Sequence, residues 1–268
     1  MHALTITLKD LRLLSRDRRA LIVLLALPMV LISVIGASAG KAVMQRATGE
    51  IIAAESSAPG LKPTNSSPTD SGRVYRSIVP GYTVLFVFFL VNIMGRSFIR
   101  ERDLGTLQRM RTAPVSSVSL LAGKTLPFLL ISIVQTTLLL AAGVGLFGMD
   151  LGSRPWLLVP LVISTSLAAT TLGLAFAAYV RTDAQVSAWG NLIVLATAGI
   201  SGCLAPRHLM PESAQQISLI TPHAWSLMAY REVLVAKLPS VLVVLSACGV
   251  LLCFSAAFTM TGLAGLRR

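Results

Sequence analysis

The chain has 268 residues, of which 54% are hydrophobic and only 13% charged, and its net charge is +12. A soluble domain carries about a quarter charged residues, so this composition argues against a soluble enzyme or binding module. The surplus positive charge flanks apolar runs and forms no stripe, which argues against a nucleic-acid partner and for the positive-inside bias of a membrane protein.

Six apolar runs hold no Lys, Arg, Asp or Glu: Ala20–Gly40, Ser77–Gly95, Leu126–Met149, Trp156–Val180, Ala184–Pro206 and Leu238–Leu266. Each is close to or above the roughly 20 residues that carry a helix across a bilayer core. The expected fold is all-α and integral to the membrane, a single transmembrane domain over 1–268 with six transmembrane helices.

In chain order, residues 3–19 come first and read as an amphipathic interfacial helix. Leu4, Leu8, Leu11 and Leu14 recur at spacings of three and four, while Lys9, Arg12 and Arg16 fall off that stripe. The first span, 20–40, is too long for a signal-peptide core, and Pro28 is expected to kink it. Asp10 and Asp17 argue against an organelle transit peptide. Residues 41–76, rich in Ser, Pro, Thr and Gly, read as an extracytoplasmic loop. The sequon Asn65-Ser66-Ser67 within it carries no meaning in a bacterial chain.

After the second span, 77–95, comes the most distinctive segment, 96–125. A helix is expected to extend the span through Asp103. Gly105 then supplies a left-handed residue or a close backbone approach. Thr106 caps a short helix that Pro114 ends. The spans 126–149, 156–180 and 184–206 follow. Residues 207–237 are punctuated by Pro211 and Pro222, each suited to the first position of a helix, with Thr221 as the cap before Pro222. They predict two short helices, at 211–220 and 222–236, in a re-entrant extracytoplasmic hairpin before the last span, 238–266. Trp225 and Tyr230 suit the bilayer interface.

Orientation follows from the basic residues. Fourteen lie at the amino end, in 96–125, at Arg181 and at Arg267 and Arg268; nine lie on the other side, five of them in the longer 41–76 loop. Both termini are expected to be cytoplasmic.

Other motifs fall away on inspection. Gly36-Ala37-Ser38-Ala39-Gly40 has the spacing of a nucleophile elbow but ends an apolar helix, with no strand before it. Gly123-Lys124-Thr125 resembles the end of a phosphate loop, but position 118 is Val118 where the motif needs Gly; Lys124 reads as an anchor for the inner end of the third span. His2, His208 and His223 are scattered and match no metal site. Cys203, Cys248 and Cys253 read as small apolar packing residues. No catalytic residue, cofactor site or metal site is expected. Uncharged polar groups within the spans, chiefly Asn92, Gln135, Thr170, Thr171, Ser187, Asn191, Thr197 and Ser201, either bond helix to helix or line a translocation path, with Asn92, Gln135 and Asn191 the path candidates.

The chain resembles a permease subunit of the type-2 ATP-binding-cassette (ABC) family. The resemblance rests on the interfacial helix with Arg16-Asp17-Arg18-Arg19, on Val79-Pro80-Gly81-Tyr82, and above all on Glu101-Arg102-Asp103-Leu104-Gly105-Thr106-Leu107 running on to Arg109 and Ala113-Pro114-Val115. Gly202, Pro206, Met210-Pro211 and Thr221-Pro222 complete it. It implies a multi-pass plasma-membrane protein of bacterial type, working as a dimer with a second copy or a paralogue. A separate nucleotide-binding ATPase subunit would provide hydrolysis, so the chain itself is not expected to be an enzyme. By the same resemblance Glu101, Gly105, Thr106, Arg109 and Pro114 couple to that ATPase. An amphipathic cargo (a drug, antibiotic, natural product or lipid) suits an uncharged path. A permease for a polysaccharide or other polar cargo is the alternative. An ion-coupled secondary transporter is a further one, disfavoured because such a device keeps ionisable groups at membrane depth.

Overall fold

The computed structural model describes residues 26–38, 69–105, 117–204 and 210–266, and among these every regular element is helical. The helices are α1 (Leu27–Ser38), α2 (Thr69–Phe88), α3 (Leu90–Asp103), α4 (Ser117–Phe147), α5 (Leu158–Tyr179), α6 (Asn191–Ser201), α7 (Glu212–Ser218), α8 (Pro222–Val235) and α9 (Val241–Leu266). A 3-10 turn, Pro155–Leu157, leads into α5, and a π turn, Val186–Gly190, leads into α6.

Four helices are long and apolar enough to cross a membrane: Ile78–Asp103, formed by α2 and α3 in succession, then Ala122–Phe147, Pro155–Tyr179 and Val241–Gly265. The other two expected spans are not among them. Within the described residues the first has only Leu27–Ser38, where Pro28 stands in the opening turn. The fifth is interrupted by the π turn and stops at Gly202, which takes the left-handed conformation at φ 88°. The 41–76 loop is corrected at its end, because α2 begins at Thr69; Tyr75 on this early turn stacks on Phe147 with ring centroids 4.4 Å apart. Likewise α4 begins at Ser117, well before Leu126. The expected interfacial helix 3–19 lies outside the described residues.

Burial divides the helices into centre and rim. The Ile78–Asp103 helix is largely enclosed, and α5 nearly so, whereas α4 and α9 turn most of their surface outward. Along α4 the outward stripe is Leu126, Leu130, Val134 and Leu138, at intervals of four. An apolar stripe facing outward from a bundle is where lipid replaces protein as the neighbour. The core joins α2, α5, α8 and α9 through Val84, Phe88, Leu161, Ala168, Leu227, Tyr230, Val244 and Leu251.

Polar contacts collect at the two ends of the bundle. At one end Arg76 pairs with Asp150 at 2.5 Å, Ser153 donates to the Lys237 carbonyl at 3.0 Å, and Arg154 donates to the Pro239 carbonyl at 3.0 Å. At the other, Arg102 donates to the Val180 carbonyl at 3.1 Å, Arg96 to Ser187 Oγ at 3.2 Å, and Lys124 pairs with Glu101. Arg76 and Arg154 thus stand at the opposite end of the bundle from Arg96, Arg102 and Lys124.

Helix α8 starts in the interior and finishes at the first of these ends. Thr221 caps it by accepting from the Ala224 N–H at 3.4 Å, and Pro222 follows at the first position. The His223 ring stacks on Phe88, centroids 3.8 Å apart, and meets Thr197 Oγ1 at 3.5 Å. At the far end the Val233 carbonyl lies against Gly152. Tyr230, expected at the interface, is instead fully buried in the core, because α8 packs against α2, α5, α6 and α9 together. Trp225 is half-buried, and its Nε1 donates to the Leu219 carbonyl at 2.8 Å.

Candidate functional site

The end of α3 and the start of α4 form the base of segment 96–125. Helix α3 carries Phe98, Glu101 and Arg102 in its last turns and stops at Leu104, whose N–H donates to the Arg100 carbonyl at 3.0 Å. Gly105 follows at φ +66° and donates to the Arg102 carbonyl at 3.0 Å. A Cβ at Gly105 would meet nothing within 4 Å. Of the two roles expected for this glycine, the left-handed turn is therefore the one it fills. Leu104 beside it is exposed, as is Asp103.

Glu101 does not share that exposure. It is only 7% exposed, and its Oε1 accepts from Lys124 Nζ, itself 1% exposed. Lys124 Nζ also lies 6.0 Å from the centre of the Phe98 ring. A buried ion pair contributes little net stability, since desolvation offsets the attraction, but it is costly to break from one side. Lys124, expected only to anchor a helix end, is instead buried against Glu101, a pairing that sequence reasoning missed. Two further contacts hold α3: Arg102 to the end of α5 and Arg96 to the π turn. Of the five residues assigned to coupling, the structure places Glu101 and Gly105 one turn apart; Thr106, Arg109 and Pro114 lie outside the described residues.

The three path candidates do not converge on one place. Asn92 Nδ2 donates to Asn191 Oδ1 at 3.1 Å, joining α3 to α6, with Asn92 buried and Asn191 exposed. The approach is close because Gly190 leaves room for the Asn92 side chain. Gln135, 1% exposed, donates instead to the Phe86 carbonyl at 3.3 Å, between α4 and α2. Thr170, Thr171 and Thr197 return their hydroxyls to their own helices, at 2.6, 2.8 and 2.6 Å. Such back-bonding satisfies the hydroxyl within its own helix.

A second buried polar group lies where α8 meets the bundle. Thr165 donates to Ser226 Oγ at 3.3 Å, and Tyr230 is fully buried one turn further along α8. Cys203 and Cys248 are buried and Cys253 is exposed, and all three are free thiols. Among the described residues no group of His, Cys, Asp and Glu has the arrangement of a metal site.

A family model described as ABC-2 type transporter matches residues 2–235. The linearmycin resistance permease protein LnrN of Bacillus subtilis (strain 168) is 34% identical over 187 residues, covering 70% of this chain and 48% of the relative. The probable multidrug ABC transporter permease YbhR of Escherichia coli (strain K12) is 24% identical over 149 residues, covering 56% and 40%. The inner membrane transport permease YhhJ of the same organism is 28% identical over 132 residues, covering 48% and 35%. The chain spans less than half the length of these curated relatives.

Proposed function

Since this chain belongs to the ABC-2 type transporter family, we propose that it is the membrane subunit of an ABC exporter, moving an amphipathic compound with energy from a separate ATPase. The observation that carries this reading is where the charge sits. Pro155–Tyr179 and Val241–Gly265 are free of ionisable acids and bases other than tyrosine and cysteine, and Ile78–Asp103 and Ala122–Phe147 carry charged residues only after Gly95 and before Leu126. The buried ion pair joins those two charged stretches, at the end of the bundle. A protein driven by an ion gradient keeps titratable groups at membrane depth; the middle stretches of these four helices carry uncharged polar groups instead, suited to the polar parts of a largely apolar cargo, and the His223 imidazole that packs on Phe88 comes from α8. The relatives named for linearmycin resistance and multidrug transport point to the same cargo class.

In this proposal the chain has six spans, α1 and α6 belonging to the two outside the four long helices, and both termini face the cytoplasm. Helices α7 and α8 form the re-entrant hairpin, an arrangement supported by the contact of His223 with Phe88 at one end of α8 and of Val233 with Gly152 at the other. A second permease chain completes the path. Segment 96–125 faces the ATPase, with Gly105, Thr106, Arg109 and Pro114 shaping its short helices. A helix stopped by a proline moves as a unit under an applied push.

The test is reconstitution in vesicles with and without the ATPase. Cargo movement with ATP and both subunits, and none with the chain alone under a proton gradient, is expected. ATP hydrolysis by this chain alone, or gradient-driven movement without the ATPase, would overturn the proposal.

A further inference from the structure

We propose that the buried Lys124–Glu101 pair fastens together the two roots of the coupling segment, so that Glu101 and Lys124 are positioning residues acting through each other and not contacts of the ATPase. This rests on the exporter reading above.

The pair joins positions 23 apart in sequence, one near the end of α3 and one near the start of α4. Everything that segment presents to a partner hangs between these two roots. Glu101 at 7% exposure and Lys124 at 1% have almost no surface left to offer another protein. The groups on display are instead Arg100, Asp103 and Leu104, which are exposed on the same turns. The Phe98 ring, 2% exposed, lines the lysine's path and shields it from water. In such surroundings an ion pair holds its geometry, because parting two buried charges is costly.

The mechanical consequence is specific. A push delivered to the segment reaches α3 and α4 as one body, and not as two ends that hinge apart at Gly105. Helix α3 is in turn tied to Val180 and Ser187, so the displacement passes on to α5 and the π turn. Without the fastener, motion of the segment is taken up locally and ATP is hydrolysed without transport.

Two measurements test this, one of which needs no ATPase. Spin labels at Asp103→Cys and Ala122→Cys, both exposed positions, report the separation of the roots in the purified chain, in a background with the native cysteines replaced. The wild-type pair is expected to give one narrow distance distribution. Glu101→Gln or Lys124→Gln broadens it, and the exchanged pair Glu101→Lys/Lys124→Glu narrows it again. In the complex with the ATPase, each single neutralisation lowers transport per ATP hydrolysed by about tenfold, within the range that couplings between sites span, and the exchange restores it. Should the exchanged pair fail to fold, Glu101→Cys/Lys124→Cys bridged by a bis-methanethiosulfonate linker replaces the charges altogether and restores coupling by the tether alone. Unchanged root distances in both neutralised variants would overturn the proposal. So would narrow distances with lost coupling that neither exchange nor tether recovers, since that result makes the Glu101 charge itself what the ATPase reads. Failure of the wild-type chain to retain any ATPase subunit through purification would count against the exporter reading and leave the root distances to decide the fastener.

Discussion

Replacing Gly81, even by alanine, is expected to destabilise the bundle. It lies in the middle of α2, just after Pro80, where a glycine ordinarily weakens a helix by about 0.5–1 kcal/mol relative to alanine. A Cβ at this position would stand 2.5 Å from the Cys203 carbonyl oxygen and 3.3 Å from its carbon, against the 3.4–4 Å of ordinary contact. The obstacle is backbone, so no rotamer change relieves it. Nor is that backbone free to withdraw, since the Cys203 N–H is held by the Ala198 carbonyl at 3.0 Å. Forcing a methyl into a packed site costs about 1–3 kcal/mol. After subtracting the helix-propensity gain, Gly81→Ala should lose about 1 kcal/mol, with about 2 kcal/mol as the upper end. At about 2–4 °C per kcal/mol for a chain of this size, the apparent melting temperature in detergent falls by a few degrees, readable by size-exclusion after heating. Gly199→Ala is the control: it lies in α6, and a Cβ there meets nothing within 4 Å. That variant should equal or exceed the wild type. If Gly81→Ala matches Gly199→Ala, the contact between α2 and the turn after α6 does not constrain the bundle as argued.

Two further outcomes are expected. Gly152→Ala should be destabilising by more than Gly81→Ala, because φ is +79° and the Val233 carbonyl occupies the space of the new methyl; heat resistance compared with Gly145→Ala, which meets nothing, checks this. A double-mutant cycle on Asn92→Ala and Asn191→Ala should give a coupling of about 0.6 kcal/mol, typical of interhelical hydrogen bonds in membranes. A coupling of zero would mean that the two amides do not hold α3 to α6.

Much of this architecture can be read from sequence because lipid enforces it. A charge within a span is so costly that charge-free runs mark helices directly, which is why 77–95, 126–149, 156–180 and 238–266 each coincide with a long apolar helix. Local signals were equally readable: Thr221 caps α8 before Pro222, and Gly105 turns the chain after α3. Relations between helices were not. Lys124 sits beside a span boundary and looks like an ordinary flanking cation; only the packing of α3 on α4 reveals that it is buried against Glu101. Tyr230 carries the mark of an interfacial residue, and its burial depends on the four helices that surround α8. The π turn before α6 likewise arises where Gly190 and Val186 press against Asn92 and Gly95, contacts between residues far apart in the chain.

Because α6 halts at Gly202 and α8 enters at the level of Phe88, one corner of the bundle is made from two different stretches of chain, one for each half of its depth. Residues 210–239 join the rest through side-chain packing, the buried Thr165–Ser226 hydrogen bond and a few hydrogen bonds at the end of the bundle. A chimera that exchanges this block between homologues leaves the Lys124–Glu101 base untouched, taking this corner of the bundle from one parent and that base from the other.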